Sequence, residues 1–267
     1  VDGSGSNERD RKYCNIDEKI NSRCISHTHM TGKETISAYW FDGHQGSLIY
    51  RFSPPVARFE KCNQDSNGLL QSIGHYWRWA SNYCCGSHSE AGKVMGLAAL
   101  GDPKIHENLN ILSMRNDGLI KLDYKKLYKE FKFPNVFGKD LSENKHYSNI
   151  AAMVQSDTEN ILMDILTMLK EKYPTDTLYY AGGVALNVLA NEKIIRSGLF
   201  KNIILNGSVE DNGTAIGAAL AASNVLIGKR TTEEITDYYG QKYENDEILA
   251  AIKKFNFAYE FIEGDQF

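Results

Sequence analysis

Thr177-Leu178-Tyr179-Tyr180-Ala181-Gly182-Gly183-Val184-Ala185-Leu186-Asn187 is the stretch that decides how this chain folds. Thr177 to Tyr180 reads as a short strand, halted by Gly182-Gly183. A helix follows from about Leu186 to Arg196, closed by Ser197-Gly198. A strand that feeds a Gly-Gly turn and then a helix aims helix N–H groups at whatever sits over the strand end, a geometry suited to a nucleotide. The Asn187 amide is a candidate partner for a ribose or phosphate oxygen. The same turn also serves a purely structural end, letting a helix pack closely on a sheet.

Downstream, Asn202 to Leu205 gives another short strand, and Glu210-Asp211-Asn212-Gly213-Thr214 opens a helix that runs to about Leu226. Strand, glycine turn, helix, strand, loop, helix is an α/β pattern, a sheet with helices packed on it. Asp211 reads as an N-cap, or as an oxygen ligand of a divalent ion beside a bound nucleotide. Upstream, Tyr147 to Lys172 carries Ile150, Val154, Ile161, Ile165, Met168 and Leu169 on one face of a long helix. Leu69 to Tyr83 is a second helix, with Leu69, Ile73, Trp77 and Ala80 at buried spacing. Tyr76, Trp77, Trp79 and Tyr83 read as core, and His75 as a satisfied core or cleft residue. Thr35 to Phe41 and Ser47 to Phe52 form a hairpin around Asp42-Gly43 and Gly46. Gly118 to Leu122 is a short strand and Tyr124 to Phe131 a short helix. The polar first 33 residues read as a surface excursion. A linker from about Gly228 to Gly240 precedes one further helix within 243–256.

The composition narrows the function classes. A net charge of −4, with 42% apolar and 24% charged residues, excludes a disordered chain and gives no support for nucleic-acid binding. The chain has no run of about 20 apolar residues, so no membrane span is expected. Five cysteines without a C-x-x-C read as reduced thiols, buried or incidental, and the cytoplasm is the default location. His27 and His29 lack the partners of a zinc site and read as surface residues.

Two more glycine-rich places admit a ligand. Asp2-Gly3-Ser4-Gly5-Ser6 combines backbone room for phosphate oxygens with a carboxylate for a metal ion. Gly92-Lys93-Val94-Met95-Gly96-Leu97-Ala98-Ala99-Leu100-Gly101 sets a lysine among small residues, where it can neutralise phosphate charge. It is not a Walker A loop, because no G-x-x-x-x-G-K-[ST] can be read there.

Taken in order, GKVMGLAALG (Gly92 to Gly101), the Ala152-x-x-Gln155 helix, AGGVALN (Ala181 to Asn187) and EDNGTAIGAAL (Glu210 to Leu220) resemble the O-carbamoyltransferases, the nodulation-factor and antibiotic-tailoring enzymes. Ser72-Ile73-Gly74-x-Tyr76 and Val1-Asp2-Gly3-Ser4-Gly5 look like segments of the same family. The resemblance implies an α/β fold of the actin-like ATPase type (sugar kinase, Hsp70, actin), truncated at its N-terminus, over residues 1–240. Residues 241–267 would begin an adenylate-forming domain whose GPRALGNRS-like segment is not in this chain.

The implied reaction is ATP-dependent. Carbamoyl phosphate and ATP give a carbamoyl-adenylate, and the carbamoyl group passes to a hydroxyl of a small, sugar-like acceptor. The implied cofactors are ATP and a divalent metal, Fe(II), and a homodimer is compatible with the family. Carried over by position, Gly182, Gly183, Val184 and Asn187 line the nucleotide, with Gly3, Gly5 and Gly92 in the same cleft. Asp2 and Asp211 are implied metal ligands, and Lys93 is the implied catalytic cation. The family's paired metal-binding histidines lie upstream of the DG-x-G segment, so the chain, opening at Val1, reads as a fragment. Residues 7–33 read as an insertion near the acceptor entrance.

Overall fold

The computed structural model describes residues 35–42, 46–52, 71–132, 145–205, 207–210, 212–228 and 240–260. It divides into one unit from Val1 to Arg230 and a second from Thr231 to Phe267.

The core of the first unit is assembled on one long helix. That helix, α4 (Lys145–Lys172), follows β1 (Ile36–Phe41), β2 (Gly46–Phe52), α1 (Ile73–Cys85), α2 (Ala91–Ala98), β3 (Leu112–Met114), β4 (Ile120–Leu122) and α3 (Tyr124–Glu130). At 1.5 Å per residue it spans about 42 Å, enough to carry several elements on its surface. Ile150, Val154, Ile161 and Ile165 are buried on it, as their spacing predicts. α1, α2, a 3-10 helix (Pro103–Leu109) and β3 all pack against it.

Local sequence explains where these elements start and stop. Ser72 caps α1 by accepting from the His75 N–H, and Gly86, in the left-handed region, ends it with an N–H donated to the Asn82 carbonyl. Asp123 accepts from the Lys126 N–H at the start of α3. Asp102 and Pro103 open the 3-10 helix together, through an acceptor for the Lys104 N–H and a preset φ.

The expected aromatic core is present. Tyr76, Trp77, Trp79 and Tyr83 are all buried, Trp79 stacks on Tyr83 at 5.2 Å, and the Trp77 indole donates to Thr158 Oγ1 at 2.9 Å. Cys84 is a buried free thiol, pushed up to about 12 by its burial, and Cys85 is a half-buried one. Cys14, Cys24 and Cys62, like His27 and His29, lie outside the described residues.

The hairpin forms in the expected place, antiparallel, with a register shift between Ala38 and Tyr39. The Tyr50 hydroxyl ties it to the Gly118 carbonyl in the β3–β4 turn (3.0 Å). The Gln71 amide bonds both backbone groups of Leu122 in β4.

Three elements depart from the sequence reading. Gly92 to Gly101 holds a regular helix, α2, and the 3-10 helix and β3 were not expected. α2 forms despite Gly92 and Gly96 because Val94, Leu97 and Ala98 are buried and the helix packs on α1 and α4. Gly101 then touches α4 so closely that a Cβ would collide with the Ser148 carbonyl, which explains a glycine at that position.

After α4 come β5 (Thr177–Tyr179), a 3-10 turn (Gly183–Leu186), α5 (Val188–Arg196), β6 (Asn202–Ile204) and α6 (Asn212–Ala222), which continues as a π-helical turn, Ser223–Ile227. β5 and β6 pair in parallel, with Leu178 opposite Ile203, and α5 is the crossover between them. The described residues thus form a mixed α/β structure with two antiparallel strand pairs and one parallel pair. None of their helices is long and apolar enough to cross a membrane. In the second unit, α7 (Asn245–Lys254) begins with a capping box between Glu244 and Glu247.

Candidate functional site

The parallel pair β5–β6 sets the place to look, because ligands of parallel sheets sit outside the carboxyl ends of the strands. Both carboxyl ends here carry a glycine turn. After β5, the Tyr180 N–H still donates to the Ile204 carbonyl of β6, and the chain then turns at Gly182. Gly182 has φ 103 and ψ 162, a region open essentially to glycine alone. The turn closes through the Ala185 N–H to the Gly182 carbonyl (2.8 Å) and the Asn187 N–H to the Val184 carbonyl (3.0 Å).

A hydrogen bond joins this turn to the segment ahead of α6. The Gly182 N–H donates to the Val209 carbonyl at 2.7 Å, which holds the segment ahead of α6 against the turn after β5. The Gly213 N–H donates to the Glu210 carbonyl, and the first turn of α6 lies directly on the Ser208 carbonyl. Gly182, Val209 and Gly213 therefore bring the glycine turn after β5 beside the start of α6.

Asn187 is 7% exposed and does three jobs at once. Its Oδ1 caps α5 by accepting from the Ala190 N–H at 3.0 Å. The same oxygen accepts from Gln155 Nε2 (3.1 Å), and Asn187 Nδ2 donates to Gln155 Oε1 (2.9 Å). Gln155 Nε2 also donates to Glu159 Oε1 at 2.7 Å, and Lys193 lies 3.4 Å from Glu159 Oε2. The amide expected to face a ribose or phosphate is thus engaged with the long helix, with one N–H left over. Gln155 stands in a sequence motif that implies no role for it, and no motif marks Glu159 or Lys193.

Gly183 and Val184 open the 3-10 turn, where N–H groups have no partner inside the turn. Lys93 is elsewhere: its side chain is exposed and pairs with Glu90, one turn back, at 2.8 Å. That pairing raises its pKa, first through the hydrogen bond and then through the carboxylate charge. The structure gives Lys93 a neighbour in Glu90 and does not join it to the glycine turn. Gly92, beside it on α2, faces open space. Asp2, Gly3, Gly5 and Asp211 lie outside the described residues. Among the described residues, no three His, Cys, Asp or Glu side chains converge as a metal site would require.

A separate cavity of about 260 Å³ is lined by His106, Asn108, Glu130, Phe131 and His146. Burial, and then the neighbouring His146, lower the pKa of His106. No sequence motif marks it.

Residues 25–220 match the family described as Carbamoyltransferase N-terminus. The chain belongs to this family. The carbamoyltransferase N-terminus match takes in both glycine turns, α2 and α4, so the four ordered segments all fall inside it. Relatives include protein sll1178 of Synechocystis, 31% identical over 70% of this chain and 33% of its own length. Nodulation protein NolNO of Sinorhizobium fredii is 31% identical over 55% of this chain and 22% of its length. Nodulation protein NolO of Bradyrhizobium diazoefficiens is 29% identical over 66% of this chain and 33% of its length. The chain spans about a third or less of these curated relatives.

Proposed function

We propose that this chain is the nucleotide-holding lobe of an ATP-dependent O-carbamoyltransferase built on an actin-like ATPase-type fold. The observation that carries the reading is the bond from the Gly182 N–H to the Val209 carbonyl. It joins two glycine turns at the carboxyl ends of parallel strands, in a member of a carbamoyltransferase family. The phosphates lie against Gly182, Gly183 and Val184, near the N-terminus of α5, where exposed N–H groups and the helix dipole favour negative charge. Gly3, Gly5 and Gly92 line the same cleft, and Lys93 supplies a cation to it once released from Glu90.

The donor is carbamoyl phosphate, activated as a carbamoyl-adenylate, and the acceptor is a hydroxyl of a small, sugar-like molecule. The chemistry is acyl transfer, in which this lobe's part is to bind and orient. Asp2 and Asp211 are assigned as ligands of a divalent metal, Fe(II). The described residues alone do not compose such a site, so no step is assigned to the metal.

The test uses a polypeptide of the relatives' full length that contains this chain. Incubated with ATP, carbamoyl phosphate, Fe(II) and a panel of hydroxylated acceptors, it adds a carbamoyl group detectable by mass spectrometry. Phosphorylation of the acceptor instead makes the protein a kinase of the same fold class. ATP binding without turnover of any acceptor makes it a nucleotide-binding module.

A further inference from the structure

The Ala152-x-x-Gln155 segment has no part in the reaction proposed above, yet Gln155 is only 5% exposed and every proton on its amide nitrogen is used. An amide's orientation is ordinarily ambiguous, because its nitrogen and oxygen have nearly the same shape. Here two outside groups decide it. Glu159 is acceptor-only when ionised, so Gln155 must present Nε2 to it. The Ala190 N–H is donor-only, so Asn187 must present Oδ1 to it.

With both ends fixed, the two amides pair reciprocally at 3.1 and 2.9 Å. A reciprocal amide pair uses, on each nitrogen, the proton on the side of its own carbonyl. On Gln155 the second proton goes to Glu159. On Asn187 the second proton has no acceptor among the described contacts, and it points away from Gln155. Asn187 is the residue between the 3-10 turn and α5, so the amide that carries this proton stands where the glycine turn enters the helix.

We infer that Gln155 is a positioning residue of the nucleotide site, holding the Asn187 amide so that its remaining N–H meets the ligand. The inference rests on the nucleotide reading of the Gly182 turn. Gln155 touches no ligand itself. It acts through Asn187, and Glu159, steadied by Lys193, acts through Gln155. Loss of such an outer partner lowers affinity roughly tenfold or more where a site depends on it.

The experiment titrates ATP into the chain by calorimetry and follows the Asn187 side-chain NH2 signal by nitrogen-15 NMR. In the unaltered chain the Asn187 signal shifts on ATP addition. Gln155→Met keeps the volume but removes the bonds, so ATP affinity falls about tenfold and the shift disappears. Unchanged affinity in Gln155→Met, or ATP binding that leaves the Asn187 signal unmoved, overturns the inference alone. The second readout needs only the unaltered chain, so it stands even if the variant folds poorly. An unaltered chain that binds no ATP overturns the nucleotide reading, and the inference with it.

Discussion

The Tyr76 hydroxyl donates to Asp157 Oδ2 at 2.9 Å, joining α1 to α4 through a fully buried phenol and a half-buried carboxylate. Burial raises the pKa of Asp157 to about 6, and the bond from Tyr76 only partly offsets it. Folded Asp157 therefore holds its proton more tightly than unfolded Asp157. Its contribution to stability is complete below about pH 4 and is lost as pH rises through about 6.

Asp157→Asn keeps an oxygen for Tyr76 and removes the charge. The variant is expected to be more stable than the parent at pH 7, by about 2 kcal/mol after allowing for partial exposure. The difference should vanish near pH 4. Urea midpoints at pH 4, 5, 6 and 7 measure it. A variant less stable at pH 7 would show that the ionised carboxylate is favourable where it sits.

Gly182→Ala places a Cβ at φ 103, at a cost of about 1–3 kcal/mol of strain. It also disturbs the N–H that reaches Val209. Chemical denaturation should show the loss, and ATP affinity should fall with it. Full retention of both would show that the turn relaxes without consequence.

Asn187→Ala removes the α5 cap, worth about 1 kcal/mol, and leaves the buried Gln155 amide short of two partners, worth about 1–3 kcal/mol more. Asn187→Asp keeps the cap oxygen and loses the two N–H groups. Denaturation should rank the parent first, Asp second and Ala last. If Asp falls below Ala, the buried carboxylate set against Gln155 Oε1 costs more than the loss of the cap and the pairing together.

Lys93→Ala breaks only an exposed pair with Glu90, so the melting temperature should be unchanged. Under the proposed role in the cleft, carbamoyl transfer by the full-length protein should drop. Unchanged transfer would reduce Lys93 to a surface residue of α2.

The strand–turn–helix order of the second half was legible because its signals are local: a short apolar strand, paired glycines, and a helix closed by Ser197-Gly198. The same holds for α4, whose 3.6-residue pattern is long. α2 was not legible, since Gly92 and Gly96 lower its propensity and only packing on α1 and α4 makes it helical. The Gln155–Asn187 pair links residues 32 apart, and no periodicity carries that information. Both residues stand in sequence motifs, but only the fold puts them together. The Lys93–Glu90 pair, by contrast, sits at i,i+3, a local spacing the sequence does display.

Calorimetric titration of this chain with ATP and a divalent cation tests most directly whether the joined turns at Gly182 and Gly213 hold a nucleotide. Saturable one-to-one binding, weakened by Gly182→Ala, is the expected result. No detectable binding of ATP, with or without the cation, by a chain that is demonstrably folded would contradict it.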